Sequence, residues 1–216
     1  MEEMILPGRA ARFKEVISKR QGNLTVVLEN VHDPHNIGAV LRSCDSVGIK
    51  EIFVIYSDPY LFRENLYLSP NTASGANRWI DVHFYTDIDL AMTHIQRNYD
   101  TILTTHLAED SKDLYDLDLT QSVALMFGNE RDGLSKEALA YSNGNFIIPQ
   151  VGMVQSLNIS VACAVTLYEA LRQRQKANMY LDNTTETETE KTALFAAYHE
   201  RQVAKDKRKT TRRISK

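Results

Sequence analysis

Apolar runs rich in β-branched residues alternate with stretches of helical spacing along most of this chain, and that alternation constrains the fold more than any other feature. The run Leu24–Leu28 is followed by a helical pattern over Asn36–Val47 and a second run at Ile52–Tyr56, the rhythm of a βαβ unit. It continues with Trp79–Phe84, a helix over Asp87–Asn98, Thr101–Thr105, Val123–Phe127, a helix after Ser135, Phe146–Ile148, and a long helix from Leu157 to Gln175. The expected class is α/β, a mostly parallel sheet with helices on both faces. With 216 residues and 43% hydrophobic content, the chain has material for one core domain over residues 23–180, flanked by appendages at 1–22 and 181–216.

The first appendage predicts a helix over Arg9–Arg20, with Phe13, Val16 and Ile17 on a docking side and Arg9, Arg12 and Arg20 offered to an anionic partner such as RNA. In the second, Asp182–Glu190 is rich in Thr and Glu and reads as a solvated linker. Ala193–Lys209 reads as a separate helix entering a basic tail. From Arg201 to Lys216 eight basic residues face one acid, so the tail attracts phosphate although the net charge of the whole chain is −3. Ser57–Arg78, with Pro59, Pro70, Asn71 and Gly75, reads as a long loop holding a short helical piece. No apolar run has the length of a membrane span, and the first twenty residues lack the apolar core of a signal peptide, so a cytoplasmic protein is expected.

Three segments carry candidate chemistry. In the first, His32, Asp33, Pro34 and His35 precede Asn36-Ile37-Gly38-Ala39-Val40-Leu41-Arg42 at a loop-to-helix entry. There Asn36 suits a helix cap, while Arg42 in an otherwise apolar helix suits an anionic substrate. The second runs from Phe127 through Gly128, Asn129 and Glu130 to Ser135, after an apolar strand, where ligands of open α/β sheets bind; a ligand loop and an ordinary turn fit it equally. The third, Ile147 to Ser160, brings Ser156, Asn158 and Ser160 to the entry of a helix that is apolar on nearly every side as far as Tyr168.

The glycine fingerprints of dinucleotide and P-loop sites are absent, as is a nucleophile elbow. Cys44 and Cys163 have no second Cys or His at ligand spacing, so two buried thiols and no metal are expected. The six histidines are scattered and read as surface or packing residues.

In this order the three segments resemble the motifs of the SpoU/TrmH family of SPOUT RNA 2′-O-methyltransferases, over about Arg9 to Tyr180. The likeness is most specific in Leu24–Cys44 and Val151–Tyr180, and there it is to the members that act on guanosine 18 of tRNA. The resemblance implies a deep trefoil knot at the carboxyl end of the sheet, a homodimer joined through the knot helices, and S-adenosyl-L-methionine (AdoMet) as methyl donor. It implies cofactor contacts at Thr105, His106, Leu107, Gly128, Ile148 and Leu157. It also implies that Arg42 acts on the ribose 2′-hydroxyl, with a substrate phosphate or a perturbed environment assisting, because a guanidinium alone is a poor base. Asn36 would position Arg42 or the ribose, Glu130 would organise the motif across the dimer, and Ser156 and Asn158 would shape the site. The alternatives are the same chemistry on another tRNA or rRNA nucleotide, and a non-catalytic RNA-binding dimer.

Overall fold

In β1 (Leu24–Glu29), Leu24, Val26 and Leu28 enter one apolar layer while Val27 enters another, the period-two alternation of a strand covered on both faces. The computed structural model describes residues 6–31, 33–57, 76–108, 110–154, 156–181 and 187–214. Helix α1 is Pro7–Ile17, and β1 leads through α2 (Pro34–Ser46) to β2 (Glu51–Ile55). A 3-10 turn at Ala76–Arg78 precedes β3 (Asp81–Tyr85), α3 (Ile88–Asn98) and β4 (Thr101–Thr105). Then come β5 (Lys112–Asp113), β6 (Val123–Phe127), α4 (Lys136–Leu139), β7 (Gly144–Ile147), α5 (Ile159–Lys176) and α6 (Glu188–Ile214).

Among the described residues the strands form one seven-stranded sheet in the order β3-β2-β1-β6-β4-β7-β5, every pairing parallel. Helices α2 and α5 cover one face through Ile37, Val40, Leu41 and Cys44 against Ile159, Cys163, Leu167 and Ala170. Helix α3 and the short α4 cover the other through Ala91, Met92, Ile95 and Ala138. After β1 the chain adds β2 and β3 on one side, while β6, β4, β7 and β5 lie on the other. The order therefore reverses between β1 and β6, opening a crevice at their carboxyl ends.

The expected α/β class is found, with local corrections. Helix α2 begins at Pro34, and its cap is Asp33, whose carboxylate accepts the His35 N–H at 2.8 Å. Asn36 is thus inside the first turn, where its amide is free for another task, because proline is favoured at the first helical position. The strand expected at Phe146–Ile148 begins earlier, at Gly144, and the two-residue β5 had no apolar run to announce it. Most of the loop expected at Ser57–Arg78 lies outside the described residues.

Helix α6 is continuous over 27 residues, about 40 Å. It starts inside the expected linker, because Thr187 and Glu190 form a capping box: the Glu190 carboxylate accepts the Thr187 N–H at 2.7 Å, and the Thr187 hydroxyl accepts the Glu190 N–H at 3.3 Å. Nor is the helix separate. Leu194, Phe195 and Tyr198 pack with Phe13, Val16, Ile17 and Trp79 in a small apolar cluster that joins α6 to α1.

Two buried arginines close the edges of the domain. Arg174, in the last turn of α5, donates to Leu119 O (2.8 Å), Gln21 Oε1 (3.0 Å), Asn23 Oδ1 (2.6 Å) and Gln121 O (2.8 Å), and burial pulls its pKa down to about 10. Arg20 is fully buried and donates to Tyr198 Oη (2.8 Å), Ile49 O (2.8 Å), Asp45 Oδ1 (2.7 Å) and Trp79 O (3.1 Å). The RNA-contacting role expected of Arg20 is therefore corrected: its donors already serve α2, α6 and the approach to β3, and no charge is left at the surface. Arg9 and Arg12 are exposed, Arg12 in a surface pair with Glu15 at 2.7 Å.

Candidate active site

The crevice between β1 and β6 holds the junction of the three sequence segments. Asn36, in the first turn of α2, donates its side-chain N–H to Glu130 Oε1 at 2.5 Å. Its own side-chain oxygen accepts Asn158 Nδ2–H at 3.1 Å. Asn158 in turn caps α5, its Oδ1 accepting the Ser160 N–H at 2.9 Å and the Ser160 hydroxyl at 2.6 Å. Residues separated by up to 122 positions thus form one chain of amide and carboxylate groups, Glu130–Asn36–Asn158, fixed at one end by a helix cap. Glu130 reaches Asn36 of its own chain.

Glu130 is presented by a tightly closed loop after β6. Asn129 and Gly133 exchange two backbone hydrogen bonds of 3.1 Å, and Asn129 Oδ1 accepts the N–H groups of Arg131 and Asp132, each at 2.8 Å. A side chain at Gly128 would put its Cβ 2.1 Å from the Gly133 carbonyl carbon, and Gly133 adopts a φ of +70°, so both positions call for glycine. At the loop's exit Ser135 caps α4, accepting the Ala138 N–H at 3.1 Å, as expected from the sequence.

Thr105 ends β4, and Gly128 and Ile148 directly follow β6 and β7; the three strands are adjacent, so these expected cofactor positions share one rim of the sheet. The Thr105 hydroxyl donates to Met126 O at 3.3 Å, tying the β4 exit to β6. His106 is exposed, and its carbonyl accepts from the Ser111 hydroxyl at 2.7 Å. Ile148 packs against the core and Leu157 is half-buried, while Leu107, Val151, Met153 and Val154 are exposed. Backbone amides beside apolar walls with few charges suit an uncharged ring and a small aliphatic chain, which is the chemistry of AdoMet's adenosine and methionine parts.

Arg42 and Ser156 are exposed. Six residues along a helix separate Arg42 from Asn36 by about 9 Å of rise and about 120° of turn. Among the described residues no hydrogen bond joins Arg42 to Asn36, Glu130, Ser156 or Asn158, so within one chain the guanidinium stands apart from the network. Cys44 and Cys163 are free and buried where α2 meets α5; burial pushes the Cys44 thiol up, and the Cys163 thiol beside it adds to the effect. Among the described residues no three His, Cys, Asp or Glu side chains converge as a metal site.

The sequence reading missed one site residue. Glu29, the last residue of β1, is fully buried, and its carboxylate accepts the Ser135 N–H at 2.9 Å and the Ser135 hydroxyl at 2.5 Å. An acid closing an apolar strand was the available signal.

Residues 23–168 match the SpoU rRNA Methylase family. The chain is 40% identical over 190 residues to the tRNA (guanosine(18)-2′-O)-methyltransferase of Escherichia coli K12, covering 88% of this chain and 81% of that one. The crystal structure of the Aquifex aeolicus TrmH/SpoU tRNA modifying enzyme superposes with a TM-score of 0.82 at 29% identity, covering 93% of this chain and 99% of that one. The SpoU methyltransferase AviRb of Streptomyces viridochromogenes, in complex with the cofactor AdoMet, superposes with a TM-score of 0.61 at 27% identity over 74% of this chain and 64% of that one. With its three motifs converging on a single crevice, and with likeness of this extent in both sequence and fold, the chain belongs to the SpoU rRNA methylase family.

Proposed function

We propose that this protein methylates the ribose 2′-hydroxyl of guanosine 18 in tRNA, with AdoMet as donor. The observation that carries the chemistry is the Glu130–Asn36–Asn158 network, which assembles all three motifs at the switch point of the sheet. The choice of nucleotide follows the relatives. Identity to the guanosine-18 enzyme extends over 88% of this chain, and the Aquifex fold matches over 93%, a share that includes much of the appendages.

AdoMet supplies an electrophilic methyl group, and the rim of Thr105, His106, Leu107, Gly128, Ile148 and Leu157 holds it. A ribose hydroxyl is a weak acid, so it must be oriented and its proton taken up. Arg42 orients the hydroxyl and stabilises the negative charge that develops on it, a substrate phosphate takes up the proton, and Asn36, Glu130, Ser156 and Asn158 fix the ribose. Arg9 and Arg12 meet the RNA backbone. Val161 and Tyr168 are exposed on α5, two turns apart, and Val151, Met153 and Val154 are exposed in the loop ahead of it; a homodimer would cover such apolar side chains. Among the described residues no helix is long and apolar enough to cross a membrane; a cytoplasmic location accords with a tRNA substrate.

Ribose-methylation mapping of tRNA from cells lacking the gene tests the reading. Loss at guanosine 18 supports it, loss at another nucleotide redirects it, and an unchanged map refutes it.

A further inference from the structure

We propose that Glu29 is a positioning residue for the methyl-transfer site, aiming Glu130 by locking the base of the loop that carries it. The inference rests on the function proposed above. Two residues grip that loop: Glu29 at its exit, through Ser135, and Asn36 at its tip, through Glu130. Between these grips the loop is braced by its own contacts, the paired backbone bonds of Asn129 and Gly133 and the turn closed by Asn129 Oδ1. A loop this stiff transmits a shift at its base to its tip.

The energetics argue against a purely packing role. Glu29 is completely buried, and the donors it receives from the loop both come from one serine. A buried carboxylate is costly to desolvate, and a well-packed apolar residue of similar volume commonly serves stability as well or better. What the carboxylate adds is direction: its two oxygens take the N–H and the hydroxyl of the same residue, fixing both the backbone and the rotamer of Ser135. Ser135 is thereby held as the cap of α4. The chain of control runs from Glu29 to Ser135, along the loop to Glu130, and on through Asn36 to Asn158 at the cap of α5.

The test is the full-length Glu29→Gln protein, which keeps shape and one acceptor but replaces the other with an N–H₂ group facing the Ser135 hydroxyl. The expected kcat for methylation of tRNA falls about tenfold or more, while KM for tRNA changes by less than about twofold. Hydrogen exchange at residues 129–133 and 159–161 speeds up about tenfold, and the thermal midpoint moves little. Ser135→Ala, which keeps the N–H and loses the hydroxyl, falls between wild type and Glu29→Gln. In the double variant with Glu130→Gln the losses in kcat fail to add, because both act through one loop. A folded Glu29→Gln protein with unchanged exchange in the loop overturns the proposal, as do losses that add in full. Wild-type protein that leaves guanosine 18 unmethylated refutes the activity instead, and the exchange measurement still decides the role of Glu29.

Discussion

Asn36 and Glu130, 94 residues apart in sequence, meet through a single amide-to-carboxylate hydrogen bond across the crevice between β1 and β6. Only a group with a donor on one arm and an acceptor on the other can bridge Glu130 and Asn158, and the carboxamide is that group. Asn36→Asp removes the donor and sets two carboxylates against each other. Methyl transfer is expected to fall about 100-fold, with stability reduced by roughly 1 kcal/mol, as read by single-turnover kinetics and denaturant unfolding.

Arg42 has the opposite profile, exposed and without a partner among the described residues. Arg42→Ala is expected to lower kcat by two to three orders of magnitude, roughly, at an unchanged melting temperature. Arg42→Lys recovers little, since an ammonium lacks the planar fork. Retention of full methyl transfer by Arg42→Ala would refute the assigned chemistry.

Arg20 should behave as a structural residue. Arg20→Met removes the hydrogen bonds to Ile49 O, Trp79 O, Asp45 and Tyr198, although Tyr198 keeps its bond to Trp79 O and Asp45 remains open to water, and a loss of roughly 2 kcal/mol in unfolding free energy is expected. The slope of tRNA affinity against salt should stay the same. Arg9→Ala and Arg12→Ala should instead leave stability near wild type and reduce that slope by about 1 each.

His83 and Glu51 face each other at 2.8 Å on neighbouring strands, and the Tyr99 hydroxyl also donates to Glu51, at 2.9 Å. The hydrogen bond to Glu51 holds the His83 pKa above its ordinary value. Burial pushes Glu51 up, but the bonds from His83 and Tyr99 prevail and hold it below the usual range. A raised histidine contributes stability in full below its unfolded value, about 6.5, and loses it as pH rises through the folded value. A lowered glutamate contributes above about 4.3 and loses its share as pH falls. The stability difference between wild type and His83→Gln should therefore be largest between about pH 4.5 and 6.5 and shrink toward pH 8. Urea midpoints at several pH values measure it; a difference flat across pH would contradict the pairing.

The sheet was legible where burial on both faces writes a continuous apolar run, as in Leu24–Leu28 and Val123–Phe127, and illegible in Lys112–Asp113, where pairing at the sheet's end asks nothing of the side chains. The start of α6 was written in the Thr187–Glu190 capping box, but its acidic composition resembled a linker. The candidate site was legible as three motifs, because their residue types are unusual for the elements they enter. Their contacts were not, since a hydrogen bond across 94 or 122 positions leaves no local pattern. Arg20 misled for a related reason: charge ordinarily predicts exposure, and the partner that reverses the rule, Tyr198, lies 178 residues away.

Arg174 also governs how the protein comes apart. Its guanidinium binds the last turn of α5 to the residues that enter β1 and to those that precede β6, so α5 cannot fray from its end without releasing both neighbours. Opening there is collective: amide protons along the last turns of α5 and the first residues of β1 should exchange with deuterium at a common rate, one set by sub-global unfolding. The helix capped by Asn158 is thus clamped at its far end, and a wandering crevice is suppressed from some 25 Å away along that helix.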